Sequence, residues 1–168
     1  MVKSEAALRD AALTRLSERG VTLDDIADLV MFLQEPYFEK LEKSVCLENV
    51  KRVINKREVQ NAIITGTELD MLAEKKLLSQ PLQNILYEDE GLYGIDEIMA
   101  LAIVNVYGSI GFTNYGYLDK VKPGILKKLT SHEGSEVHTF LDDIVGAIAA
   151  AAASRLAHDN PEISDIMK

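Results

Sequence analysis

The sequence is short of cysteine, histidine and basic residues, and each shortage excludes a class of protein. The single cysteine, Cys46, excludes an internal disulfide, and its apolar neighbours predict a small buried side chain. Three histidines and one cysteine argue against a zinc site. The net charge of −9 disfavours binding to nucleic acid and unassisted binding to anionic lipid. No apolar leader follows Met1, so we expect a cytoplasmic protein, with at most transient, peripheral contact to a membrane surface.

Long apolar runs and strand-like alternation are also missing. The uncharged segment 144–153 comes closest to a membrane span, but Asp142 and Asp143 precede it and Arg155 follows it. A span needs roughly 20 apolar residues, so we expect this segment to be a buried core helix. Apolar residues recur at helical spacing along the chain. With no repeat and no linker, the 168 residues predict an all-α fold, one compact multi-helix domain over 1–168 with a central alanine-rich helix.

Several local signals predict where helices begin and end. Thr22 and Asp25 form a capping box at a helix start. The segment 47–76 is mostly helical, with Gly66 as a candidate break. We predict that the longest helix covers residues 137–158. Glycines predict a turn between helices at positions 108, 111 and 116.

Three groups of acidic residues stand where an apolar segment begins. Each group alone is typical of a helix start, since the helix dipole and capping favour carboxylates there. Packed together, such helix ends would bring several carboxylates to one place, where a cation or a shared proton must relieve their repulsion. Oxygen ligands favour a hard ion such as Mg²⁺. Of Asp142 and Asp143, we expect one to cap its helix and the other to share a site with Asp96 and Asp119. The groups are Asp96 with Glu97, Asp119, and Asp142 with Asp143.

The order of these motifs resembles that of a known family. The stretch YLDKVKPGIL, followed by FLDDIVGAIAA and preceded by IDEIMAL, is similar to the phosphatidylglycerophosphatase A family, and in particular to its short soluble branch in Gram-positive bacteria. The resemblance covers residues from about 92 to 155. The matched positions are Asp96, Glu97, Asp119, Lys122, Pro123, Asp142, Asp143 and Gly146.

The resemblance implies a Mg²⁺-dependent phosphatase that removes the terminal phosphate of phosphatidylglycerophosphate. The implied metal ligands are Asp96, Glu97, Asp119, Asp142 and Asp143, and the implied catalytic residues are Asp119, Lys122, Asp142 and Asp143. Lys122 would contact the phosphate, whereas the residue that acts as the base is left open. Three positions depart from the family pattern, because Ile95 replaces a common tryptophan, Gly116 a common arginine and His138 a common glycine. A cap or surface role for His138 ranks first, and its participation is left open.

Other functions compete with this one. The chain fits a phosphatase for a soluble phosphate ester, which the missing membrane spans would favour. It also fits a non-catalytic oligomerisation or binding module, with the acids as caps and the alanine helix as the subunit contact. An all-α nucleotide pyrophosphohydrolase fits poorly, because that class needs Glu-x-x-Glu pairs. We expect a homo-oligomer.

Overall fold

A computed structural model describes residues 5–131 and 134–159, and within these ranges all regular structure is helical. The all-α prediction is therefore confirmed. The predicted domain 1–168 also includes residues that lie outside the described ranges. The helices are α1 (Glu5–Glu18), α2 (Leu23–Gln34), α3 (Lys43–Ile54), α4 (Arg57–Glu74), α5 (Leu82–Tyr87), α6 (Ile95–Val104), α7 (Gly108–Val121), α8 (Ile125–Leu129) and α9 (Leu141–Asp159). The predicted capping box of Thr22 and Asp25 opens α2.

Helix α9 forms the centre of the fold. Every residue from 141 to 154 is buried, and α9 packs against α2, α3, α4, α6, α7 and α8. Alanine side chains have little bulk, so helices approach α9 closely on several sides. The predicted buried, alanine-rich central helix is confirmed. One part of the module hypothesis is wrong: a helix already enclosed by its own chain cannot be the subunit contact.

Gly66 does not break a helix, contrary to the prediction. Helix α4 continues through it, and the break in the segment 47–76 lies at residues 55–56, between α3 and α4. Because Gly66 has no side chain, α9 packs closely against α4 at this position. A Cβ atom at this position would lie 2.4 Å from Cδ1 of Ile144 and 2.9 Å from Cβ of Phe140, which is closer than van der Waals contact permits.

The glycine-rich stretch after α6 is mostly helix rather than turn. A three-residue 3-10 segment, Asn105–Tyr107, joins α6 to α7, and Gly108 has φ 74° and ψ −161°. This left-handed φ is accessible to glycine without strain and redirects the chain. Gly111 and Gly116 lie inside α7, so the predicted turn is confined to the residues before them.

The prediction that no segment is apolar and long enough to span a membrane was wrong. Ile95–Val121 passes that test by length and composition, and 22% of its 18-residue apolar window is buried. The segment 98–118 carries no charged residue. In the structure the kink at Gly108 divides it into α6 and α7, and both pack on α9. Six large apolar side chains on α6, on α7 and on the 3-10 segment between them are exposed, and we call them together the α6–α7 apolar surface: Ile95, Ile98, Val106, Phe112, Tyr117 and Val121.

Candidate active site

Lys122 joins the end of α7 to the start of α9. Its Nζ atom donates hydrogen bonds to Oδ1 of Asp119 at 2.6 Å and to Oδ2 of Asp142 at 2.9 Å. The Lys122 backbone is left-handed, with φ 47° and ψ 54°, and ends α7 just before Pro123. Although burial opposes it, the carboxylates of Asp142 and Asp119 raise the pKa of Lys122. Three residues predicted to act together are therefore in direct contact.

Asp142 and Asp143 are both buried in the first turn of α9, with 8% and 6% of their surface exposed. Burial raises the pKa of Asp142, and the ammonium of Lys122 offsets part of that rise. Burial and the charge of Asp142 raise the pKa of Asp143. The buried hydroxyl of Tyr115 lies near the Asp143 carboxylate without a well-formed hydrogen bond to it. When both carboxyls are ionised, the pair carries more negative charge than one ammonium neutralises.

Asp96 and Asp89 belong to the same electrostatic cluster. The pKa of Asp96, in the first turn of α6, is raised by burial and by the charges of Asp89 and Asp119. The charge of Asp96 in turn raises the pKa of Asp143, and that of Asp89 raises the pKa of Asp142. Sequence reasoning missed Asp89. Its only signal was the acidic stretch YEDEG, which resembles an ordinary solvated turn.

Glu97 occupies a different position from its neighbour. Its side chain is exposed, whereas that of Asp96 is half-buried, because adjacent residues on a helix point about 100° apart. The backbone N–H of Glu97 donates to Oδ1 of Asp96 at 2.9 Å. Its part in metal binding therefore stays a prediction.

The start of α9 is capped by a residue from another helix. The backbone N–H of Phe140 donates to Oδ1 of Asp70 at 3.0 Å, and that of Leu141 to Oδ2 at 3.1 Å. Asp70 lies on α4 and was not recognised from the sequence. The prediction that Asp142 or Asp143 caps this helix was wrong for the amides of Phe140 and Leu141, because Asp70 accepts their hydrogen bonds.

His138 precedes α9, which begins at Leu141 rather than at 137 as predicted. It lines a small cleft together with Asp89 and Asp142. Its Nδ1 atom lies 3.3 Å from the guanidinium of Arg19, and its Nε2 atom lies 3.3 Å from Oε2 of Glu136. Burial and the charge of Arg19 lower the pKa of His138. Both ring nitrogens therefore face groups of the protein.

The cluster suits a hard cation in the chemistry and charge of its donors. In the described ranges no three acidic, histidine or cysteine side chains converge as a ready-made metal site. The ammonium of Lys122 occupies the place between Asp119 and Asp142. The donors around it are carboxylate oxygens, which Mg²⁺ prefers, and the buried Asp142 and Asp143 have raised pKa values. A divalent cation would relieve their repulsion if Lys122 moved aside.

Comparison with known proteins decides the family. The family model described as phosphatidylglycerophosphatase A matches residues 16–158. The chain belongs to the phosphatidylglycerophosphatase A family. The match begins far upstream of position 92, where the recognisable motifs start, so α2 to α5 are part of the family's domain.

Related proteins support this membership along most of the chain. Uncharacterised protein YutG of Bacillus subtilis (strain 168) is 65% identical over 147 residues, which are 88% of this chain and 89% of that protein. The crystal structure of low temperature requirement C protein from Listeria monocytogenes has a TM-score of 0.90 and 68% identity, over 92% of this chain and 98% of that one. The crystal structure of YpjQ from Bacillus subtilis has a TM-score of 0.89 and 54% identity, over 98% and 99% of the two chains.

Proposed function

We propose that this chain is a Mg²⁺-dependent phosphatase that hydrolyses the terminal phosphomonoester of phosphatidylglycerophosphate. The observation that carries the proposal is the contact of Lys122 with Asp119 and Asp142. It brings an anion-binding side chain and two carboxylates together at one point, beside the raised-pKa carboxyls of Asp96 and Asp143. Membership of the phosphatidylglycerophosphatase A family supports the class of substrate.

Each residue of the site has a role in this reaction. Lys122 leaves the carboxylates and binds a phosphate oxygen of the substrate, as lysine does elsewhere as a point charge. Asp96, Glu97, Asp119, Asp142 and Asp143 form the set from which the Mg²⁺ ligands are drawn. When bound, Mg²⁺ supplies charge neutralisation and orients the phosphate. Asp143, whose pKa is raised, is suited to accept a proton from water near neutral pH. The water oxygen adds to phosphorus, the phosphorus–oxygen bond to glycerol breaks, and the glycerol oxygen takes the proton that Asp143 accepted from water.

The α6–α7 apolar surface favours a lipid over a soluble ester. Ile95 precedes Asp96 and Val121 precedes Lys122, and 47% and 45% of their surfaces are exposed. Apolar side chains beside an acidic site let the protein lie on a membrane surface while a headgroup phosphate reaches the carboxylates. We therefore propose a cytoplasmic protein that binds the membrane peripherally. A homo-oligomer remains a prediction, with its contact on a surface other than α9.

Phosphate release from phosphatidylglycerophosphate in mixed micelles, with and without Mg²⁺, tests the proposal. We expect Mg²⁺-dependent release by the parent and by Glu48→Gln, an exposed acid on α3, and none by Asp142→Asn. No release by the folded parent would contradict the lipid substrate. Release from glycerol 3-phosphate alone would establish the soluble-ester alternative.

Thermal unfolding with Mg²⁺ separates an enzyme from a binding module. A ligand at 100 times its Kd stabilises the folded state by about 2.7 kcal/mol, and we expect a rise in Tm of several degrees. Asp142→Asn should lose this rise. Glu97→Gln shows whether the exposed acid contributes to binding. If Mg²⁺ does not change the Tm of the parent, the result would support a non-catalytic binding module in which the acidic residues are structural.

A further inference from the structure

Asp70 is a fully buried carboxylate in the middle of the protein, with none of its surface exposed. It lies on α4 and accepts hydrogen bonds from two consecutive amides at the start of α9. Phe140 N–H lies 3.0 Å from Oδ1 and 3.3 Å from Oδ2, and Leu141 N–H lies 3.1 Å from Oδ2. Leu141 directly precedes Asp142 and Asp143, so Asp70 holds the backbone from which the site carboxylates extend.

The segment just before α9 is anchored to helices α4 and α5 and to Arg19, which follows α1. The backbone N–H of Val137 donates to Oε1 of Glu74 at 2.8 Å, and its carbonyl accepts from Arg19 at 2.7 Å. The hydroxyl of Thr139 donates to the carbonyl of Leu86 at 2.7 Å. These contacts fix residues 137–139. The contacts of Asp70 extend this anchoring into the first turn of α9.

Capping alone does not account for an ionisable group at this position. Burial raises the pKa of Asp70, and the amides of Phe140 and Leu141 only partly offset that rise. A second carboxylate, Asp142, is close enough to raise the pKa of Asp70 further. A neutral asparagine or serine caps a helix without this cost. A carboxyl group has two acceptor oxygens, so that each of two successive amides donates to a different oxygen. Asparagine and serine offer a single side-chain oxygen.

We infer that Asp70 is a positioning residue, which fixes the first turn of α9 so that Asp142 and Asp143 face Lys122 and Asp119. The inference rests on the proposed function, since it concerns the geometry of the same site. Groups that orient metal ligands and catalytic carboxylates control activity without contacting the substrate.

Steady-state kinetics on folded protein test the inference, with Asp70→Asn compared with Thr67→Val. Thr67 lies one turn earlier on α4, is equally buried, and donates its hydroxyl hydrogen bond to Ile63 within the same helix. We expect Asp70→Asn to lower kcat roughly tenfold or more at unchanged KM, and to raise the Mg²⁺ concentration needed for half of the thermal stabilisation by a similar factor. Thr67→Val should lower Tm and leave both quantities unchanged. Equal behaviour of the two variants in an active protein would overturn the inference.

A second measurement does not depend on activity. Hydrogen exchange of the amides at residues 140–143 should be about tenfold faster in Asp70→Asn than in the parent, because two buried amides lose part of their acceptor. Unchanged exchange would overturn the inference, even if the parent released no phosphate and the proposed function failed. If Asp70→Asn does not fold, Asp70→Glu keeps the carboxyl group and displaces the acceptor oxygens, and we expect the same drop in kcat and the same faster exchange.

Discussion

The ammonium of Lys122 at the end of α7 lies 2.9 Å from Oδ2 of Asp142 in the first turn of α9, and the same ammonium lies 2.6 Å from Asp119. One positive charge is therefore the counter-ion of two carboxylates, which lie on two different helices. Asp143 and Asp96 lie in the same cluster, and their pKa values are raised. A single ammonium does not neutralise these carboxylates once they ionise, and either a bound proton or a cation would relieve their repulsion.

Lys122→Gln should abolish phosphate release and also destabilise the protein. Removing the ammonium leaves Asp142 buried beside Asp119 without a counter-charge, and we expect a loss of about 1–3 kcal/mol in the free energy of unfolding. Urea denaturation measures this loss. Lys120→Gln is the matched control, because Lys120 is exposed on the same helix and should have no effect. Equal stability of both variants and the parent would contradict the role of Lys122 as counter-ion.

Asp143→Asn should stabilise the metal-free protein at pH 8. The pKa of Asp143 is raised in the folded state, so folding favours its protonated form, and its ionisation costs stability as pH rises above the unfolded pKa of about 4. Each unit of raised pKa corresponds to about 1.4 kcal/mol. We expect Tm with a chelator present to rise at pH 8 and to change little at pH 4. A variant less stable than the parent at pH 8 would show that the ionised carboxylate is well compensated.

The fold class and the central helix were predictable because they depend on local pattern. Helical spacing of apolar residues and the uncharged run after Asp143 indicate a buried helix without knowledge of its neighbours. The order of the acidic motifs likewise indicated which carboxylates to examine. In the structure, Lys122 contacts both Asp119 and Asp142, and all three residues belong to these motifs.

The roles of Asp70, Asp89 and Gly66 were not predictable, because each depends on contacts between residues far apart in sequence. Asp70 caps a helix that begins about seventy positions later. Gly66 resembles a helix breaker in isolation, whereas its missing side chain is what admits α9. Local propensity is a weak guide where tertiary packing decides the outcome.

Gly66→Ala should therefore destabilise the protein, despite the higher helix propensity of alanine. The new methyl group would overlap Ile144 and Phe140, and overpacking of this kind costs about 1–3 kcal/mol. Gly116→Ala is the control, since it lies inside α7 with no atom within 4 Å of its added Cβ. We expect this second variant to gain about 0.5–1 kcal/mol. Urea denaturation of both variants decides the matter, and a stabilised Gly66→Ala would show that α4 and α9 are less closely packed.

Ile98→Gln should separate binding to a lipid surface from reaction with phosphate. Ile98 is 62% exposed, two residues after Asp96, and belongs to the α6–α7 apolar surface. Burying an isoleucine side chain contributes about 1.5–3 kcal/mol, so we expect at least roughly tenfold weaker co-sedimentation with phospholipid vesicles. Phosphate release from a short-chain, monomeric phosphatidylglycerophosphate should be unchanged. Val45→Gln is the control, because Val45 is 41% exposed and lines a cleft with Arg155 and Asp159 at the other end of α9. If neither variant weakens vesicle binding while the parent binds, another surface contacts the membrane. If Ile98→Gln changes the oligomeric state instead, the α6–α7 apolar surface is covered by a second copy of the chain.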